Sequence, residues 1–287
     1  MNDSACRSRS GLGFVIGSHA FLEVRLADIG QLRDRAAPRG SPLLPPRFLR
    51  HADEHTVVGM QVVLTALAAH PAAPRIASHG IVAAPCQPGR IVGAKTLAEF
   101  GRGGGVTVSP HVVPQCSLHS VAGAVSVALG MHGPHLGVGG GPEALGEGLL
   151  VAAALLASGG DPGCTGVWLV ATEWDEEPGL DAQGVPLTNP ACRGLALLLE
   201  PVAKPDDGGS VVAPVSFDIR MTKPPHGPRL HPTGGLVAFA RAIGMCREGG
   251  ALASWAVACP GGGEIRISSR FQPAVSRPAE PWMRGAA

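Results

Sequence analysis

The densest patterning in the chain runs from Val106 to Ala157. It predicts a loop, a small-residue helix, a tight turn, a short strand, a glycine elbow and a second helix. Leu118, Val121, Ala122, Val125 and Leu129 recur at i, i+3, i+4, i+7 and i+11, which is helical spacing. The positions between them (Ala124, Ser126, Val127, Ala128) are small or apolar too, so a helix over 118–130 is expected to be buried all round. Gly133-Pro134 then turns the chain into a strand over 135–138. Gly139-Gly140-Gly141 bends it again, and Pro142 is expected to open the next helix, where a missing N–H costs nothing. Leu145, Leu149, Ala152 and Leu156 give that helix its apolar stripe.

The rest of the chain alternates strand and helix signals. GLGFVIG (11–17) reads as a strand; its Gly-x-Gly lies within or before the strand, whereas a dinucleotide fingerprint follows one and opens a helix. A proline-rich loop over 38–47 leads into a helix striped by Val57, Met60, Leu64 and Leu67, with Asp53 as its candidate cap. A strand is expected over 75–82, a short helix over 94–100 and a flexible GRGGG connector at 101–105. No Gly-Lys-Ser/Thr follows that connector, so it is not a phosphate loop. Ser158-Gly159-Gly160 ends the second helix, GVWLVAT (166–172) and GLALLLE (194–200) read as buried strands, and 173–186 as an acidic loop between them. A polar break at 204–209 precedes a strand in VVAPVSFDI, a helix over 236–247 with Thr233 near its cap, and two strands in LASWAVA and EIRISS. Such alternation argues for a layered α/β fold.

Ser109-Pro110-His111-Val112-Val113-Pro114, then a helix containing Val-Ala-Gly, then Gly-Met-His-Gly-Pro, then strand, elbow and helix, resembles the N-terminal half of a β-ketoacyl synthase of the thiolase superfamily. The Pro-Pro-Arg-x-Leu-Arg-x-x-Asp lead into the helix after Asp53 and the order strand, acidic loop, Gly-x-x-x-x-Leu-Glu strand are similar to that family too. The resemblance covers roughly residues 11–203. It implies an α/β thiolase-like layered fold, a mixed sheet between helices, with an abbreviated second half over 204–270 and loose tails at 1–10 and 271–287.

In that family the elbow presents a nucleophilic cysteine. Here the elbow is Gly139-Gly140-Gly141-Pro142, and no cysteine lies between Cys116 and Cys164. The family's two histidines stand in the second half, where this chain offers only His226 and His231, in contexts that do not match. The resemblance is therefore to the short degenerate ketosynthase-like, chain-length-factor-type proteins of type II polyketide or aryl-polyene systems. It implies no catalytic residue, a catalytic ketosynthase as heterodimer partner, an acyl carrier protein met through the complex, and no cofactor or metal. The loop positions that would face the partner's acyl channel or the interface are His111, Val112, Gln115, Cys116 and His119. Two alternatives remain: a stand-alone acyltransferase or condensing enzyme using Cys116, and a non-catalytic, self-associating acyl-binding scaffold.

Composition narrows the partners. The formal charge is +1, which gives no basis for nucleic acid or an anionic membrane as partner. No apolar run reaches the roughly 18 residues of a spanning helix. The N-terminus lacks a signal-peptide core, and seven cysteines without framework spacing fit a reducing cytoplasm.

Some local chemistry stands outside the resemblance. Cys116 lies just before a helix whose N-terminal dipole would lower a thiol pKa, with His119 at i+3. Cys116-x₂-His119 and His132-x₂-His135 have the ligand spacing of a zinc site, although the family turn also explains the second pair. Ser78-His79-Gly80 lacks the Gly-x-Ser-x-Gly elbow of a serine hydrolase.

Overall fold

The computed structural model describes residues 12–33, 44–45, 47–70, 75–158, 164–201, 215–222, 235–247, 254–258 and 264–271. The tails at 1–10 and 272–287, most of the proline-rich loop, Gly159-Gly160, the break at 204–209, His226, His231 and Thr233 lie outside them.

Strand β1 (Leu12–Arg25) is longer than the GLGFVIG pattern suggested, and it runs straight into helix α1 (Leu26–Arg33). Helix α2 (Glu54–Ala68) starts where Asp53 predicted: the carboxylate accepts the Thr56 N–H and caps the first turn. A 3₁₀ turn at 76–78 occupies the first half of the expected 75–82 strand, so β2 begins at His79 and ends at Pro85. Helix α3 (Arg90–Gly103) absorbs the start of the supposed flexible connector, and Gly104 in a positive-φ conformation ends it. Then follow the single turn α4 (Val112–Gln115), α5 (Ser120–Leu129), β3 (His135–Gly137) and α6 (Ala144–Ala157). The chain continues through β4 (Gly166–Trp174), β5 (Ala191–Pro201), β6 (Val215–Thr222), α7 (Gly235–Arg247), β7 (Ser254–Ala258) and β8 (Glu264–Phe271).

The strands form one mixed eight-stranded sheet in the order β3-β2-β4-β5-β1-β6-β8-β7. β3, β2 and β4 are parallel neighbours, while β5, β1, β6, β8 and β7 join by antiparallel pairing. β1 pairs with β5 along most of its length and with β6 at its start, so one strand belongs to both ends of the sheet. A bulge between Ile16 and Ser18 shifts the register of β1 against β5. Without it, residues 14 to 20 at every second position would share a face. With it, Phe14 and Ile16 pack on the α6–α7 side and Ala20 on the α2–α5 side. Gly17 sits in the bulge, and the Glu200 carboxylate lies over the space a Cβ there would take.

Two cores result. On one face Val58, Met60, Val62 and Leu64 of α2 and Val121 and Val125 of α5 pack against Ile81, Trp168 and Leu198 of the sheet. On the other, Leu149 and Ala152 of α6 and Leu236, Phe239 and Ile243 of α7 cover Val82, Leu169, Leu195 and Leu197. Helix α6 also contacts β7 and β8, with Val257 packed on the same cluster, so the sheet curls over it. α6 thus touches strands from distant parts of the sheet order, β2 and β4 as well as β7 and β8, while α7 lies against β4 and β5. No helix among the described residues is long and apolar enough to cross a membrane.

One expectation is corrected here. α5 is not buried all round: Val127 is 72% exposed, and Ala124, Ala128 and Leu129 are only half-buried. Its buried face rests on α2, where Gly59 lets the two helices close; a Cβ on Gly59 would lie 2.7 Å from Val121 Cγ1. The opposite face is apolar and uncovered. Pro142 is also displaced from the predicted first turn, standing two residues ahead of α6 in the turn that leads to Glu143, the residue before the helix.

Candidate functional site

The elbow lies where the carboxyl ends of β2, β3 and β4 meet the start of α6. β3 pairs with Ile81–Ala83 of β2. The elbow extends that pairing: the Gly140 N–H donates to the Pro85 carbonyl at 2.9 Å, and the Gln87 N–H donates to the Gly140 carbonyl at 3.1 Å. Gly139 and Gly140 hold φ of 93° and 95°, values that side chains with a Cβ avoid. A Cβ on Gly139 would land 2.6 Å from that of Ala144, whereas one on Gly141 would meet nothing within 4 Å. The bend therefore presents backbone alone.

The first turn of α7 is satisfied by a carboxylate: Glu173 Oε1 accepts the Leu236 N–H at 3.3 Å. Burial raises the Glu173 carboxyl above its ordinary range, while this N–H and Arg193 pull it back. Beside the elbow stands Cys86, which bridges to Gly140 and which the sequence pattern did not single out. Its thiol is pushed up by burial and further by Glu173 and Glu177, so it stays protonated at neutral pH. Parallel pairing of β2 with β3 brings Cys86 here, and such a non-local contact leaves no local pattern to read.

Cys116 also differs from its expectation. Burial raises its thiol, and Asp53 and Glu54 add to the effect, so the lowered pKa expected from a helix N-terminus is not what the surroundings produce. It packs on Gly89, where a Cβ would lie 2.8 Å from its sulfur. Gly89 is held in turn by Asp53, whose two carboxylate oxygens accept the Thr56 N–H at 2.9 Å and the Gly89 N–H at 3.1 Å. Two histidines are buried inside the fold. Burial lowers His55, whose Nδ1 is 2.8 Å from Thr172 Oγ1. His79 is lowered to about 4, first by burial, and its Nδ1 accepts the Trp168 indole N–H at 3.1 Å. Ser78 bonds Thr165 and the Arg75 carbonyl, which leaves the Ser78-His79 pair without a hydrolase geometry.

The uncovered face of α5 continues into an open pocket of about 230 Å³, lined by Phe48, His51, Thr56, Pro114, Gln115, Ser120 and Ala124 among others. This is smaller than the roughly 300–1,000 Å³ of a self-sufficient ligand site. Further large apolar side chains are exposed on the neighbouring elements: Leu97 and Phe100 of α3, Val106, and Val113 of α4 are 72%, 54%, 96% and 72% exposed.

The architecture as a whole has counterparts among solved structures. A chain of the complex AntDE:AntF, a type II polyketide synthase acyl-carrier protein with its ketosynthase bound to the hexaketide, aligns with a TM-score of 0.62. The alignment covers 91% of this chain and 99% of that one at 13% identity. A chain from the ketosynthase ApeO in complex with its chain length factor ApeC, from Xenorhabdus doucetiae, aligns with a TM-score of 0.54. It covers 90% of this chain and 100% of the other at 16% identity.

The chain has the thiolase-like fold of the ketosynthases.

No family model and no curated protein sequence matches it. Within the thiolase-like fold, the five loop positions expected at an acyl pocket or interface separate. Gln115 lines the pocket. His111 is exposed at the start of α4 and Val112 is half-buried. Cys116 turns to Gly89, and His119 places its ring beside His135 at 5.2 Å between centroids. Among the described residues no group of three His, Cys, Asp or Glu side chains gathers around a point where a metal could sit, so the four zinc-spaced residues do not form one ligand set.

Proposed function

We propose that this chain is a non-catalytic, chain-length-factor-type subunit that pairs with an active β-ketoacyl-carrier-protein synthase in the cytoplasm and shapes its acyl pocket. The reaction served is decarboxylative Claisen condensation in type II polyketide, aryl-polyene or fatty-acid-like biosynthesis. The observation that carries the reading is the elbow: it bears three glycines and no side chain to accept an acyl group, at the place where the resemblance to ketosynthases would set the nucleophile. Cys116, the candidate substitute nucleophile, and Cys86, which bridges to the elbow, are both shifted away from the thiolate. A thiol-dependent condensing enzyme needs an activated thiolate, and the surroundings of these two cysteines favour the thiol.

The second support is the face over α3, α4 and α5. Exposed apolar side chains on α3, α4 and α5, together with a pocket too small and open to hold a ligand alone, suit a surface that another chain completes. In this reading the partner contributes the thiolate and the contact to the acyl carrier protein. Residues 106–119 contribute wall to the channel. Val112 is the position where a larger side chain would shorten the space. Val112→Phe is expected to shift the products of the reconstituted pair to shorter chains.

Co-expression with the ketosynthase encoded nearest to it, followed by size-exclusion chromatography and an elongation assay, tests the proposal. A 1:1 complex that elongates only with both chains present is expected. A homodimer that acylates its own Cys116 and needs no partner would overturn it.

A further inference from the structure

His119 and His135 lie apart in sequence and come together at one corner of the fold. His119 precedes the first turn of α5 and His135 opens the edge strand β3. Their ring centroids are 5.2 Å apart and their planes tilt by 39°. The backbones that carry them are pressed together: a Cβ on Gly137 would lie 2.2 Å from the Leu118 carbonyl oxygen and 2.5 Å from the His119 nitrogen. Glycine at 137 is what allows that approach, and the approach sets the spacing of the rings. Both side chains are exposed.

Two imidazoles bound to one tetrahedral ion at metal–nitrogen distances of about 2.0–2.1 Å place their ring centroids roughly 5 Å apart. The observed separation matches that geometry. His135 Nδ1 also lies 3.5 Å from the Gly133 carbonyl. A proton held on Nδ1 by that carbonyl leaves Nε2 as the free ligand nitrogen, the arrangement that metal-binding histidines use.

We propose that His119 and His135 form a two-point surface site for a divalent transition-metal ion of the zinc, nickel or copper class. Imidazole nitrogen suits these ions, while magnesium and calcium favour oxygen ligands. With no third side chain joining them among the described residues, water fills the remaining positions and the ion exchanges readily. The second histidine adds affinity because binding at the first makes its own step intramolecular.

Zinc titration of the untagged full-length chain, read on the histidine ring Cε1–H signals by NMR, tests the site independently of the partner reading. In the wild-type protein the His119 and His135 signals are expected to move together at the same zinc concentration. In His119→Ala and in His135→Ala, the remaining ring should need at least about tenfold more zinc, because the intramolecular step is lost. His132→Ala should leave both unchanged. The proposal is overturned if the two wild-type rings respond at separate zinc concentrations, or if either ring keeps its response when the other is removed.

Discussion

Replacing Asp53 with alanine would remove one side chain and orphan two backbone donors in different elements. Its carboxylate is fully buried and accepts from Thr56 in the first turn of α2 and from Gly89 before α3. Losing an N-cap costs about 1 kcal/mol, within a range of roughly 0.5–2. Leaving a buried N–H without an acceptor costs about 1–3 kcal/mol more. Asp53→Ala is therefore expected to lower unfolding free energy by about 2–4 kcal/mol, read as a shift in the urea midpoint at unchanged slope. Asp53→Asn separates the two bonds: its amide oxygen can still cap Thr56, while its NH₂ then faces the Gly89 N–H. It should fall between wild type and alanine. The same carboxylate helps to keep the Cys116 thiol protonated, so Asp53→Ala should also speed alkylation of Cys116 at pH 8. An alanine variant within about 1 kcal/mol of wild type would refute the reasoning, because the cap alone should cost that much.

The remaining predictions concern pH and the elbow. His79 titrates near 4 in the folded chain against an ordinary value of 6.5, so the unfolded chain takes up its proton first. Stability from this group is complete above about pH 6.5, falls as pH drops through that window, and levels off below about 4, with a total of at most about 3 kcal/mol. His79→Gln should flatten this part of the stability–pH curve; an unchanged slope would remove His79 as its cause. At the elbow, Gly141→Cys should fold with near wild-type thermal stability and give a thiol that reacts readily with a disulfide reagent, since its Cβ enters open space. Gly139→Cys should be clearly less stable, through both its positive φ and its contact with Ala144; equal stability of the two would count against the geometry of the bend.

Much of the fold was readable because it rests on local signals. The Asp53 cap, the stripe of α2, the buried strands β4 and β5, and the strand–elbow–helix order around Gly139 all follow from period and punctuation. Boundaries slipped where tertiary contacts extend an element: α3 starts four residues before its apolar signal, from a left-handed Gly89 pinned by Asp53. The misreading of α5 has a different origin. Small and apolar residues all round a helix look the same whether the outer face packs inside the chain or faces outward, and Val127 faces outward. At the candidate site, the loop motif singled out Gln115, which lines the small pocket beside α5. Cys86 was not singled out, because only the parallel pairing of β2 with β3 carries it to the elbow, and the raised thiol of Cys116 depends on Asp53 and Glu54, far back in sequence.

The double membership of β1 reaches beyond geometry. Phe14 and Val15 are paired on both sides at once, with β5 on one and β6 on the other. The residues before Pro201 and those after Val215 are thus sewn to a common thread, and melting either side strips partners from the other. A break in the chain between Pro201 and Val215 would not free two independent bodies; the pieces would remain one cooperative unit, losing structure in a single step.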